Sequence, residues 1–416
     1  MLGFVGLIIV VVGLIHLYLW KRLVRDPLRP GRWRRIGGVA ALLLAILVPA
    51  TFAGTRSGRA EWLAWPGYIW LALMFYLLVI LIVLEIPRLA AGLWIRRDAR
   101  PQREVAAASG PIPAKPASHE PVRLAEAHEP SVPSPETRDP HQPGIDRRLL
   151  LARGAAIFAG LTAAGVTGYG IRTALGPPRL DRVQIPLAKL PRSLDGTRVA
   201  LVSDIHLGPL TGPHHVERIV NLINSTDADV VCVVGDLVDG TVAELGRLAQ
   251  PLATIKSKLG AYFVTGNHEY YSGFQPWIDE VTRLGVRPLR NERLELGALD
   301  LAGVNDIGGE QYGDGPDFAK ALGDRDPDRP VILLAHQPIV AKDAAKYGVD
   351  LQLSGHTHGG QMVPFNLLVK LEQPVVSGYG RVDGVPVYVT NGAGFWGPPV
   401  RVGAPPQVTL VELRTP

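Results

Sequence analysis

The chain has 416 residues, enough for more than one domain. Hydrophobic residues make up 47% and charged residues only 19%, with a mean hydropathy of +0.15. That mixture is too apolar for an ordinary soluble enzyme and too polar for a pure transporter, so it suggests membrane spans joined to a soluble domain. The net charge of +5 is no argument for nucleic acid, because much of the Arg and Lys flanks apolar runs. The single cysteine, Cys232, excludes an intrachain disulfide. It lies inside the apolar run Val230-Val231-Cys232-Val233-Val234 and reads as a small core residue.

Leu2 to Trp20 is almost unbroken apolar sequence, long enough to cross a bilayer as a helix. Ile36 to Ala53 is a second such run. Tyr68 to Ile86 is a third, with Trp62, Trp65, Tyr68 and Trp70 crowding one end like an interfacial aromatic belt. Leu149 to Ile171 is a fourth, rich in the small residues that mark helix contacts within membranes. Lys21, Arg22, Arg25, Arg29, Arg32, Arg34 and Arg35 separate the first two runs, whereas only Arg56, Arg59 and Glu61 separate the next two. Positive charge favours the cytoplasmic side, so the fourth run is expected to carry the chain outward and leave everything after about residue 175 extracytoplasmic. Arg147-Arg148 before Leu149-Leu150-Leu151 also resembles a twin-arginine export signal, but it is internal, and a topogenic role is the preferred reading. Residues 101–143 hold ten prolines and no apolar period, the composition of a disordered linker. The expected organisation is therefore a three-span region over 1–95, a linker over 96–148, a fourth span over 149–175 and a soluble domain over 180–416.

From Arg198 onward, short β-rich runs recur: Val199 to Val202, Val230 to Val234, Ala261 to Val264, Val331 to Leu334 and Val349 to Leu353. Each is apolar throughout, as expected for strands buried on both faces. Val216 to Ile223 and Trp277 to Leu284 show helical spacing, so the reading is alternating α/β. Polar residues follow each run in turn: Asp204-Ile205-His206, Gly235-Asp236-Leu237-Val238-Asp239, Gly266-Asn267-His268-Glu269, His336-Gln337, and Gly355-His356-Thr357-His358-Gly359-Gly360. Ligand sites of α/β sheets collect at the carboxyl ends of strands, and five such loops would share one rim.

Carboxylate, imidazole and amide oxygen suit Mn, Fe, Zn or Co, with no thiolate on offer. They are too many for one ion. Two ions about 3.5–4 Å apart, sharing a carboxylate, would use them to clamp the attacking and leaving oxygens of an in-line displacement at phosphorus.

This series of motifs resembles the calcineurin-like metallophosphoesterase superfamily, and the longer forms Gly266-Asn267-His268-Glu269-Tyr270 and Gly355-His356-Thr357-His358-Gly359-Gly360-Gln361 resemble its bacterial membrane-associated, YkuE- and YaeI-like branch. The match covers roughly residues 195–415. The resemblance implies an αββα sandwich preceded here by four transmembrane helices. It implies one metal on Asp204, His206, Asp236 and His358, and a second on Asp236, Asn267, His336 and His356, with Asp236 bridging. A hydroxide held between the ions would be the nucleophile. His268 has no ligand slot and would contact a phosphate oxygen or act as general acid.

Asp239 is expected beside the ligands rather than among them, and Glu269 reads equally as a neighbour of the site or a solvated side chain. His214 and His215 read as an exposed helix start, Asn305-Asp306 as a turn, and Phe395-Trp396 as either a lipid contact or a sheet-edge cover. The expected activity is hydrolysis of a phosphodiester or pyrophosphate bond in a membrane- or envelope-linked substrate. The bilayer, a phosphate ester that membrane anchoring favours as lipid-linked, and no specific nucleic acid are the expected partners. The alternative is a membrane-anchored metal-binding or scaffold protein with a weakly active esterase domain.

Overall fold

The apolar runs fold as long helices. The computed structural model describes residues 2–108 and 147–416, with α1 at Leu2–Trp20, α2 at Arg32–Arg56, α3 at Ala64–Ala108 and α4 at Arg147–Leu175. Within them, Gly6–Arg25, Arg32–Arg56, Glu61–Leu89 and Leu149–Leu175 are long and apolar enough to cross a membrane. α3 overruns the expected start of the linker at residue 96. Arg, Ala, Gln and Glu dominate Arg96 to Ala108 and favour helix, and Pro101 alone does not stop it. The rest of the expected linker, with His119, His128 and His141, lies outside the described residues.

Two compact units divide the chain. One comprises Leu14–Ala41 and Leu77–Leu161. Its acid Glu85 is neutralised locally: Arg22 Nε lies 2.7 Å from Glu85 Oε1, and the Tyr18 hydroxyl donates to the same oxygen at 3.0 Å. A charge inside an apolar span is costly unless paired in this way.

The other unit comprises Met1–Gly13, Leu42–Tyr76 and Thr162–Pro416. Here α2 and α3 approach closely enough that a Cβ on Gly67 would overlap Thr51. Its C-terminal domain runs β1 (Arg179–Pro186), β2 (Arg198–Val202), α5 (Pro213–Asn224), β3 (Val230–Val234), α6 (Val242–Ala249), β4 (Ala261–Val264), α7 (Asn267–Ser272) and α8 (Phe274–Arg283). It continues through β5 (Arg287–Pro288), β6 (Glu292–Leu296), β7 (Leu299–Gly303), α9 (Phe318–Leu322), β8 (Val331–Leu334), α10 (Ala341–Ala344) and β9 (Leu351–Ser354). α11 (Asn366–Glu372), β10 (Gly378–Val382), β11 (Val385–Val389) and β12 (Gln407–Arg414) complete it.

The strands form two six-stranded sheets, ordered β1-β12-β2-β3-β4-β5 and β10-β11-β9-β8-β7-β6. β2, β3, β4 and β5 are mutually parallel, as are β7, β8, β9 and β11, while β12, β10 and β6 each join a neighbour antiparallel. β3 shows why its run is apolar throughout. Val230, Cys232 and Val234 point into the core between the sheets, and Val231 and Val233 into the layer beneath the helices. α5, α6 and α8 cover the first sheet through Ile219, Leu248 and Trp277; α9 and α10 cover the second through Leu322 and Ala344. The expected αββα sandwich is thus present, and Cys232 is the buried core residue expected of it.

The residue pattern identified five of these strands without fixing the sheet topology, and the two-sheet sandwich was implied by the family resemblance. β1, β10 and β12 are only half apolar or flank other strands at an edge, so their pairing is set by the sheet and leaves no strong pattern in the sequence.

Trp277 is fully buried, and its indole N–H donates to Gly240 O at 2.8 Å. Trp277→Ala is expected to destabilise the C-terminal domain by about 3–5 kcal/mol, read as a lower urea midpoint for loss of its secondary structure.

Candidate metal centre

Five loops leave the carboxyl ends of β2, β3, β4, β8 and β9 and meet. Their backbone is unusual. Asp204, His206, Asp236, His356 and His358 all have positive φ, between 49° and 71°. Left-handed conformations cost non-glycine residues of order 1–3 kcal/mol each and persist where surrounding structure fixes them. Here they turn side chains sharply inward at the ends of β2, β3 and β9. Close approach also explains two glycines: a Cβ on Gly266 would overlap the Asp236 carboxylate, and one on Gly355 would overlap Ser203 and Asp204.

The loops bring together three groups of donors, one of them His206, Asp239 and His268. Asp204, His206 and His358 offer ligand atoms within 4.8 Å of one another, as do Asp236, His336 and His356. His358 Nε2 lies 3.0 Å from His206 Nε2 and 3.4 Å from Asp204 Oδ1. Asp236 stands between the groups, its Oδ2 3.1 Å from His336 Nε2 and 3.9 Å from His206 Nε2. Asn267 Oδ1 and His356 Nδ1 are buried without a hydrogen-bond partner, which is costly for polar atoms unless a cation or other ligand meets them. Carboxylate, imidazole and amide oxygen together fit divalent metals.

Neighbouring groups orient the donors. His336 Nδ1 lies 2.8 Å from Val234 O and His206 Nδ1 lies 2.8 Å from Asp239 Oδ1, leaving Nε2 of each ring facing the centre. Asp239 also holds His268 Nδ1 at 2.6 Å. His268 lies outside both donor groups that contain Asp204 and Asp236, with its Nε2 4.0 Å from Asp236 Oδ2.

Two residues have more important places than the sequence disclosed. Glu269 is fully buried and accepts from the backbone N–H groups of Gly266 (2.6 Å), Asp236 (3.0 Å) and Leu237 (2.7 Å), so it ties the β3 and β4 loops together. Its position three residues after Gly266, at the start of α7, is the capping-box spacing that could have revealed it. Arg401 is fully buried, donates to His358 O at 2.9 Å and Asn391 O at 2.8 Å, and places Nη2 3.0 Å from His358 Nδ1. Its own backbone N–H donates to Gly170 O of α4 at 2.9 Å. No local motif marks Arg401, since its partners are distant in sequence.

His215 is a correction. It is buried rather than an exposed helix start, lies 3.3 Å from Ile205 O and packs edge-on near Phe395; α5 presents it inward because it follows Pro213 on the apolar face of that helix. His214 is exposed as expected. Asp306 is buried and accepts from Gln337 at 3.1 Å. Trp396 is half exposed and stands 6.2 Å from the His268 ring, opposite Tyr271 at 5.5 Å.

Burial pushes Asp204 up. Burial also opposes ionisation of Asp236, but His336, His268 and His206 hold it well below the usual carboxylate range. Burial and the neighbouring Asp236 push Glu269 up to about 7. Burial and the nearby His336 hold His356 at about 3; burial and Arg401 hold His358 well below the ordinary imidazole value. Both rings therefore stay neutral donors. Burial works against a charge on His268, yet Asp236 and Asp239 raise it to about 9. The centre thus combines two neutral rings, His356 and His358, an ionised Asp236 carboxylate, and two histidines, His268 and His336, whose charged forms Asp236 favours against their burial.

A calcineurin-like phosphoesterase family profile matches residues 197–360. The chain is 39% identical over 272 residues to a zebrafish (Danio rerio) transmembrane protein with metallophosphoesterase domain, covering 62% of each chain. It is 38% identical over 256 residues to an uncharacterised metallophosphoesterase of Helicobacter pylori, covering 61% of this chain and 68% of that one. It is 28% identical over 284 residues to the uncharacterised metallophosphoesterase YkuE of Bacillus subtilis, covering 65% and 97%. The chain spans 62% of the zebrafish relative's length and 64% of that of its bovine counterpart.

In protein stripped with chelator, His268 is expected to titrate near 9 by NMR of labelled histidine. Asp239→Asn removes one of the three carboxylates, Asp236, Asp239 and Glu269, that favour its protonated form, so the value should move down. An unchanged titration in that variant would mean that Asp239 does not act on His268.

Proposed function

Because the chain belongs to the calcineurin-like metallophosphoesterase family, a metal-dependent family of phosphoester hydrolases, we propose that it hydrolyses a phosphodiester or pyrophosphate bond in a membrane- or envelope-linked substrate, using two divalent cations. The observation that carries this reading is the meeting of two donor groups at Asp236. Asp204, His206, Asp236 and His358 would hold one cation, and Asp236, Asn267, His336 and His356 the other. Mn, Fe, Zn and Co all suit this donor set. Bound cations supply Lewis-acid polarisation of the phosphoryl group and lower the pKa of water towards neutrality.

The chain's own residues do the rest. His268, oriented by Asp239, donates to a phosphate oxygen or to the departing oxygen. Tyr271 and Trp396 flank that proton and narrow the approach to it. Arg401 fixes His358 and links the site to α4 through Gly170.

A multi-pass arrangement with this domain on the extracytoplasmic side is supported by charge and by placement. The cation-rich connection from Lys21 to Arg35 lies at the start of α2, whereas the turn after its other end carries Gly58, beside Glu244 of the C-terminal domain. The relatives named as transmembrane proteins support the membrane setting.

Purified full-length chain with added Mn²⁺ is expected to hydrolyse bis-p-nitrophenyl phosphate; no turnover with Mn, Fe, Zn or Co would overturn the reading. Asp236→Ala is expected to lose both cations by elemental analysis together with activity. His268→Ala is expected to keep its metals and lose about 10²–10⁴-fold in turnover, the usual contribution of a proton donor.

A further inference from the structure

Between β9 and β10, the C-terminal domain presents an apolar face that its own fold leaves uncovered. Val363, Phe365, Leu367, Leu368 and Leu371 are all exposed, Leu371 by 84%, and they crowd into nine residues. Leu367, Leu368 and Leu371 share one side of α11, at the i, i+1, i+4 spacing of an amphipathic helix, whereas Asn366 and Lys370 fall on another. Contiguous exposure of this kind marks a binding or membrane surface rather than a random scatter of surface leucines.

A contact within the same unit identifies the occupant. The Phe365 ring meets the Phe75 ring of α3 edge to face, with centroids 6.3 Å apart. Phe75 belongs to the apolar segment Glu61–Leu89. At ~1.5 Å per residue it lies roughly 20 Å along that segment from Glu61, past the aromatic cluster at its start. α11 therefore begins against the wall of a span, at a depth where the surroundings of the span are acyl chains. Beside α11, Lys370 and Arg381 line a cleft of about 630 Å³, which places cations where an anionic leaflet would meet the domain.

We propose that α11 lies in the bilayer as an in-plane insertion, with Leu367, Leu368 and Leu371 in the acyl region and Lys370 at the headgroups. The domain is then held on the membrane at a second place, independent of the α4 tether. It is oriented by α11 rather than swinging freely on α4. The proposal stands on the spans and on α11, and does not depend on the metal centre or its substrate.

The test uses the full chain reconstituted in vesicles of phosphatidylcholine and phosphatidylglycerol. Cys232 is buried in the sheet core, so a single added cysteine takes the label. Leu371→Cys and Leu367→Cys carry an NBD fluorophore, Leu259→Cys provides an exposed position elsewhere on the domain, and Lys370→Cys samples the other side of α11. The proposal expects nitroxides on the acyl chains to quench positions 367 and 371 several-fold more than position 259, iodide in the buffer to show the reverse order, and position 370 to fall between. Iodide quenching at 367 and 371 equal to that at 259 would overturn it. So would pyrene excimer emission from labelled position 371 that grows with the protein-to-lipid ratio, which would identify a second copy of the chain as the occupant. Wild-type hydrolysis of bis-p-nitrophenyl phosphate by each labelled variant verifies that it is folded, and loss of that activity in wild type itself would bear on the metal centre alone.

Discussion

Everything about the C-terminal domain is arranged around the crowding of lone-pair donors at one point. Two carboxylates, four imidazoles and an amide oxygen face one another across a few ångströms, with like charges and lone pairs set at close range. Such a cluster is unfavourable by itself and becomes favourable around cations. The fold must hold it together, and does so by backbone rather than by side-chain freedom. Five of the donors adopt left-handed conformations at strand ends. Two buried sheets fix those ends rigidly, so strain at the tips is outweighed by packing beneath them.

The neighbours of the donors share this load. Glu269 gathers three backbone N–H groups from the β3 and β4 loops, and the two loops that carry Asp236 and Asn267 cannot move independently. Asp239 serves His206 on one side and His268 on the other. One carboxylate thereby orients a donor and, together with Asp236, favours the charged form of the histidine at the rim. Arg401 extends the network outward, because the same residue that touches His358 is hydrogen-bonded through its backbone to α4. Removing a partner from a network of this kind exposes the others to an unpaired buried charge, so its members do not contribute independently.

The membrane half is more than a tether. α4 meets residues 400–402, whose Arg401 touches His358, and α3 meets Phe365 just before α11, so the domain has contacts with two helices that are long and apolar enough to cross a bilayer. The paired Glu85 shows that the apolar segments accommodate their charges locally rather than along a path through the membrane.

Sequence alone carried the donor types and the alternating α/β pattern, and the family resemblance added the layer type. Apolar runs ending in Asp, Asn or His carry that information locally: a strand buried on both faces must be apolar throughout, and a donor must follow it directly. The four long apolar helices were legible for the same reason, since length and hydropathy are local quantities. Tertiary structure alone decided the partners. Arg401 and His358 lie far apart in the chain, and nothing near either one announces the other. Glu269 became a buried tie instead of a solvated side chain because two loops close over it, and His215 turned inward because α5 packs against the sheet beneath the Asp204 loop. The leucines of α11 read as an ordinary helix in sequence. Only the contact between Phe365 and Phe75 gives them a lipid setting, because which face of a short helix stays uncovered depends on what the rest of the chain packs against it.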